Sequence, residues 1–218
     1  MIIQELTLLT DNLIETEQFY TERLGLSLTT KETNGITFQA GETLLRFKKS
    51  RIHRHPRYHF AFNIPYNAVL DAFASMSSTL NILPVSATTN IADFANWNAK
   101  AFYFYDNNGN IVEYIGRFDL GRHDPPTFTP SAIQSVSEMG LPVKNVKEEC
   151  EKLMARGGLS YFVKQPPCET FSVLGDDSGL LIMVPIGRNW YPTADLASEA
   201  HPVKMRISHA GRTIDINL

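Results

Sequence analysis

The sequence predicts an α+β protein made of repeated βαβββ units, and three observations carry that expectation. The order strand, helix, strand, strand, strand occurs twice between residues 1 and 117. A third copy follows at a constant offset of 133, which lays Glu5 on Glu138, Leu8 on Leu141, Asn12 on Asn145, Glu15 on Glu148 and Gly25-Leu26-Ser27 on Gly158-Leu159-Ser160. Between the second and third copies, DLGRHDPPTFTPS breaks the pattern with proline and polar residues. Repeats of this length are supersecondary units that bury their apolar faces against one another. The expected architecture is α+β, with paired βαβββ units over residues 1–117 curling their sheets into one cleft. An exposed, extended linker is expected over 118–132, and a third, degenerate βαβββ unit with a C-terminal hairpin over 133–218.

Each element has its own signal. ELTLLT (5–10) alternates weakly and is β-rich; Asp11 or Asn12 then caps a helix whose apolar positions Leu13, Phe19, Tyr20 and Leu24 follow helical spacing, and Gly25 ends it. Strands are expected near LSLTTKE, GITFQAG and TLLRFKK, with Asn-Gly and Gly turns between them. In the second unit RYHFAFNIP is a strand, NAVLDAFASMSSTL a helix, and ILPVSAT, KAFYFYD and NIVEYIGR supply three more strands. In the third, LGDDSGLLIMV (174–184) has the shape of the hairpin FYDNNGNIVEY (104–114), turn glycine against turn glycine. The tail HPVKMRISHAGRTIDINL reads as a hairpin turning near Ala210 and Gly211, able to supply strands where a fourth unit would pair.

Composition narrows the function. With a formal charge of -3, a pI near 6.1 and no long run of one sign, the chain offers no general attraction to nucleic acid or to anionic membranes. MIIQELTLLT lacks a basic leader and a cleavage site, and no apolar run approaches the ~18 residues of a membrane span, so a cytoplasmic protein is expected. Cys150 and Cys168, without CxxC spacing, read as free thiols. His53 and His55 stand among Arg51, Arg54 and Arg57 and read as a solvated basic connector rather than a metal clip.

The chemistry is expected from three residues. Glu5 and His59 occupy corresponding positions in the first strands of units one and two, and Glu113 lies in the last strand of unit two. If those units pair about a pseudo-twofold axis, the three side chains converge. One imidazole and two carboxylates suit a divalent ion, Zn²⁺, Ni²⁺, Mn²⁺ or Fe²⁺, with positions open to substrate. Residues two apart on a strand share a face, so Thr7 and Leu9 are expected to join Glu5 in the pocket, Ala61 and Asn63 to join His59, and Ile111 and Ile115 to join Glu113. Trp97 precedes the hairpin carrying Glu113 and is a candidate pocket wall.

LTLLTDNLIETEQFYTERLGL, YHFAFNIP and FYDNNGNIVEYIGR together resemble the vicinal oxygen chelate superfamily, which includes glyoxalase I, bleomycin- and fosfomycin-resistance proteins and extradiol dioxygenases. The resemblance is strong over about 1–117 and weaker over 133–190. It implies a divalent metal at Glu5, His59 and Glu113. A glutamate at the first position departs from the two-His, one-Glu pattern of ring-cleaving dioxygenases. Gly41 set against Gly109 puts Leu45 where a fourth ligand would stand, and Met183 takes the place of Glu113 in unit three. The expected function is a metal-dependent enzyme acting on a small oxygen-bearing molecule by lyase, isomerase or thiol-transfer chemistry, with Glu5 as the proton-moving carboxylate. The alternatives are a drug- or small-molecule-binding protein without turnover and, more weakly, an extradiol-type dioxygenase. A homodimer through unit three is a further expectation.

Overall fold

The structure, a computed structural model, describes residues 1–121 and 128–218. Its first unit runs β1 (Ile2–Thr10), α1 (Leu13–Gln18), β2 (Ser27–Glu32), β3 (Gly35–Ala40) and β4 (Thr43–Lys49). Asn12 caps α1, its side chain accepting from the amides of Ile14 and Glu15 and so satisfying two of the orphan donors of the first turn. The helix continues as a π turn over Phe19–Arg23 before Gly25, at φ +68, releases the chain.

The second unit runs β5 (His59–Ile64), α2 (Val69–Met76), β6 (Ala92–Phe94), β7 (Ala99–Tyr105) and β8 (Ile111–Arg117). ILPVSAT is not a strand. It holds only a bridge from Ile82 to Phe104, and the edge position falls to the short β6 further on. The third unit has β9 (Ser135–Val143), α3 (Val146–Gly157), β10 (Ser172–Asp176) and β11 (Gly179–Pro185), its remaining strand reduced to a bridge from Tyr161 to Leu174. The hairpin β12 (Lys204–His209) and β13 (Arg212–Asn217) turns through Ala210 and Gly211, both at positive φ as a two-residue hairpin turn requires.

These strands form two sheets, β13-β12-β1-β4-β3-β2 and β10-β11-β9-β5-β8-β7-β6. The expected pairing of units one and two is therefore corrected: β5 hydrogen-bonds β9 of unit three, and β1 hydrogen-bonds β12 of the hairpin. Unit three is the partner that completes unit two, and the hairpin stands where a fourth unit would complete unit one. The physical reason lies in the strand faces. β5 is buried at every position, whereas β1 alternates between buried and partly open residues and β2 is exposed throughout. A strand buried on both faces belongs in the middle of a covered sheet.

One large core lies between the sheets. Ile3, Leu6, Leu8, Phe38 and Phe47 from the first sheet meet Phe60, Phe62, Phe104, Tyr114 and Leu181 from the second. Thr43 ties the layers, its hydroxyl donating to the Ile3 carbonyl (2.6 Å) and accepting from the Val136 amide (2.9 Å). The opposite face of the seven-stranded sheet carries a second apolar cluster with Ala61, Tyr103, Ile111, Ile115, Ile182 and Trp190. The expected exposed, extended linker is corrected at its ends: it holds short 3-10 turns at Phe118–Leu120 and Pro130–Ala132, and Phe128 is buried against Tyr114. Residues 122–127 of that linker lie outside the described residues. Among the described residues, no helix is long and apolar enough to cross a membrane.

Candidate metal centre

A row of residues crosses the second sheet: Tyr103 on β7 opposes Glu113 on β8, Glu113 opposes Ala61 on β5, and Ala61 opposes Glu138 on β9. Ala61 thus lies between two glutamates, and its methyl group leaves the space above it to their carboxylates. His59 is two residues back on β5 and shares Ala61's face. The ligating atoms of His59, Glu113 and Glu138 all lie within 4.8 Å of one another, and all three residues are buried.

Glu138 is brought to this point by a β-bulge. Opposite β5, Ala61 pairs with Glu138 and Phe62 with Val136, so Ser137 is the extra residue. In β1, Ile3 pairs with Ile207 and Glu5 with Arg206, so Gln4 is the extra residue. The bulges are equivalent, since 137 − 4 gives the repeat offset of 133. A bulge re-aims the side chain that follows it, and in both units that side chain is a glutamate.

Glu5 itself is elsewhere. It stands on the open face of the other sheet, half exposed, and accepts a hydrogen bond from Arg206 at 2.7 Å; Arg206 also binds Asp215. Thr7 lines the same shallow polar groove, and Leu9 packs on the edge of the main core. Glu5, Thr7 and Leu9 are therefore separated from His59 and Glu113, because unit one pairs with the hairpin. The remaining expected pocket residues gather on one side: Ala61, Ile111 and Ile115 in the second apolar cluster with Trp97 packed against it, and Asn63 buried on the same β5 face. Glu138 is the residue that sequence reasoning left without chemistry, although the repeat alignment had already set it on Glu5.

Strand register also corrects the two equivalences drawn from turn glycines. Glu113 pairs with Ala61, two residues beyond His59; the matching partners are Arg46 opposite Thr7 in unit one and Ile182 opposite Gly140 in unit three. Arg46 and Ile182, rather than Leu45 and Met183, hold Glu113's place. The slip arises because the β7–β8 connection spans 106–110, whereas the β3–β4 and β10–β11 turns have two residues each. The conclusion that neither place holds an acid is unchanged.

The electrostatics follow from burying two carboxylates beside an imidazole and one guanidinium. His59 Nδ1 lies 3.1 Å from the Ile111 carbonyl, which can only accept, so Nδ1 carries the proton and Nε2 presents a lone pair. Nε2 is 3.7 Å from the Glu113 carboxylate. Burial pushes the imidazole pKa down to about 4, against a smaller opposing pull from the Ile111 carbonyl. Burial raises Glu113 well above the usual carboxylate range, and the charge of Glu138 raises it further; Tyr103 hydrogen-bonds it and opposes the rise. Glu138 is raised by burial too, but Arg117 opposes this as its hydrogen-bonded ion-pair partner. Arg117 is fully buried, stacks its guanidinium on Trp97 (5.4 Å), and is flanked by Asp177 at 3.9 Å. With both carboxylates ionised, the two glutamates, one guanidinium and a neutral imidazole sum to −1. Buried charge of this kind is stable when a cation neutralises it and otherwise takes up a proton. The donor set fits a divalent ion: a neutral imidazole lone pair and two carboxylates, with the imidazole oriented from behind.

The cluster opens into a cavity of about 440 Å³ whose lining includes Phe94, Trp97, Tyr103, Phe171, Trp190 and Tyr191. A slightly smaller cavity lies behind Trp190, bounded by β9, the start of α3 and the segment before the hairpin, and it contains none of the three donors.

Units two and three close one curled sheet around this pocket in a glyoxalase-like fold. Solved structures show the same fold. A Bacillus subtilis protein provisionally named a dioxygenase matches with a TM-score of 0.63 at 20% identity, over 86% of this chain and 65% of its own. A glyoxalase I variant from Zea mays matches with a TM-score of 0.55 at 14% identity, over 84% of this chain and 69% of its own. The chain thus spans about two thirds of the length of either. No protein-family model and no curated protein sequence matches it.

Proposed function

We propose that the chain is a divalent-metal-dependent enzyme acting on a small oxygen-bearing organic molecule, with His59, Glu113 and Glu138 holding the ion. The observation that carries this reading is the convergence of three buried donors within 4.8 Å at one end of an aromatic cavity. The fold's association with glyoxalase and dioxygenase structures supports it. When bound, the ion supplies Lewis-acid stabilisation to negative charge developing on a substrate oxygen.

The protein's own groups have separable tasks. His59 is held in the ligating tautomer by the Ile111 carbonyl. Arg117 opposes protonation of Glu138 despite its burial. Glu113, whose carboxylate is hydrogen-bonded to Tyr103, stands beside the cavity as the carboxylate that moves a proton, taking the role expected of Glu5. The cavity's aromatic walls surround these charges with apolar groups, which strengthens each of these interactions. Lyase, isomerase and thiol-transfer reactions all use such a centre.

A second reading, a small-molecule-binding protein without turnover, is favoured by the Arg117–Glu138 ion pair, which already neutralises one of the donors. Elemental analysis and calorimetric titration with Zn²⁺, Ni²⁺, Mn²⁺ and Fe²⁺ separate the two. The enzyme reading expects tight uptake of an ion that is lost in His59→Ala. No uptake of any of the four by the folded chain would leave the binding protein.

A further inference from the structure

The cations around the metal centre differ in one respect. Arg117 is paired with Glu138, and Lys164 with Asp119 and Asp177. Arg188, which also lines the cavity, has no carboxylate partner among the described residues. It is not loose: its amide donates to the Pro185 carbonyl (3.2 Å), its carbonyl accepts from Ser198 (2.8 Å), and its half-buried guanidinium rests on the face of Phe171 at 5.1 Å. A guanidinium held over a ring is positioned with its edge N–H groups still free to donate to an oxyanion. Beside it the walls are aromatic, their rings tilted or edge-on to one another. Phe94 lies against Trp97 (5.9 Å) and Tyr191 (6.0 Å), Tyr191 against Tyr103 (5.5 Å), and Trp190 against His59 (5.0 Å).

We propose that this cavity selects planar aromatic molecules carrying a negative charge, and that Arg188 is the residue that recognises the charge. The proposal rests on the reading of the cavity as a substrate site and adds the substrate's class to it. The aromatic walls supply ring stacking and edge contacts, which tolerate many ring substituents. The free guanidinium supplies discrimination, because in a largely apolar cavity an anion that pairs with Arg188 is favoured over its neutral isostere.

The cavity carries its own reporter, since Trp97 and Trp190 are the two tryptophans of the sequence and both line it. The test is a fluorescence titration of the purified chain with benzoate, benzamide and cyclohexanecarboxylate at fixed ionic strength. Benzoate is expected to bind at least about tenfold more tightly than either of the others. In Arg188→Gln the benzoate affinity falls to the benzamide level while benzamide binding is unchanged, which also shows that the variant is folded; Arg188→Lys recovers part of the loss. Equal affinity for benzoate and benzamide, benzoate binding undiminished in Arg188→Gln, or binding of none of the probes overturns the proposal. Metal uptake measured on the same preparations keeps the two readings apart. A chain that takes up metal but does not discriminate benzoate loses only the Arg188 assignment, and one that discriminates benzoate but takes up no metal loses only the metal centre.

Discussion

Two residues of the centre, His59 and Glu113, pull stability in opposite directions with pH. An unfolded histidine titrates near 6.5, and burial lowers His59 to about 4. Between those values the unfolded metal-free chain holds the proton and the folded one does not. This contribution is full above pH 6.5 and is lost as pH falls toward 4, at most about 3 kcal/mol. His59→Gln is expected to flatten that acid limb in urea unfolding of the metal-free protein. Glu113 has the reverse sign: its folded pKa is raised, so its contribution is favourable below the usual carboxylate range and unfavourable as pH rises. Glu113→Gln should therefore stabilise the metal-free chain at pH 7 by about 1–2 kcal/mol while removing the extra stability conferred by added metal. A variant less stable than the parent without metal would show that Glu113 is satisfied without a cation.

Among the elements, β9 and the segment covering the cavity make the most specific demand. Gly140 on β9 has no room for a side chain: an added Cβ would meet Trp190 Cη2 at 2.5 Å and the His59 carbonyl at 3.1 Å. Gly140→Ala is expected to cost about 1–3 kcal/mol by overpacking and to displace the Trp190 ring, seen as a shift in indole emission; unchanged emission and stability would contradict this packing. The elements themselves were largely legible. A cap at Asp11 or Asn12, of which the structure uses Asn12, the Gly35–Ala40 and Thr43–Lys49 strands and the Ala210-Gly211 turn follow from local chemistry that the sequence carries directly. ILPVSAT departs from the expected strand because β-branched residues mark a strand without saying whether a neighbour has an edge free for it. The Leu45 and Met183 equivalences failed because a turn glycine fixes the turn and leaves the register two strands away open.

For the whole molecule, the question is which units pair. His59 and Glu113 lie within unit two, so their proximity follows from one unit's topology and could be anticipated. The third donor had to come from a different unit, and two glutamates at equivalent places, Glu5 and Glu138, were available to a reader of the repeat. Periodicity within a strand cannot choose between them; the burial of both faces of β5 against β9 does. SVSEMG, with small residues at Ser135, Ser137 and Gly140, holds that signal. Unit one, with Glu5 bound to Arg206 on an open sheet face, stays outside the centre. The central claim is that units two and three build the metal centre, and calorimetric metal titration of Glu5→Gln and Glu138→Gln side by side tests it most directly. The account predicts parent-like uptake by Glu5→Gln and a loss of at least about tenfold in affinity by Glu138→Gln. The reverse pattern would contradict it.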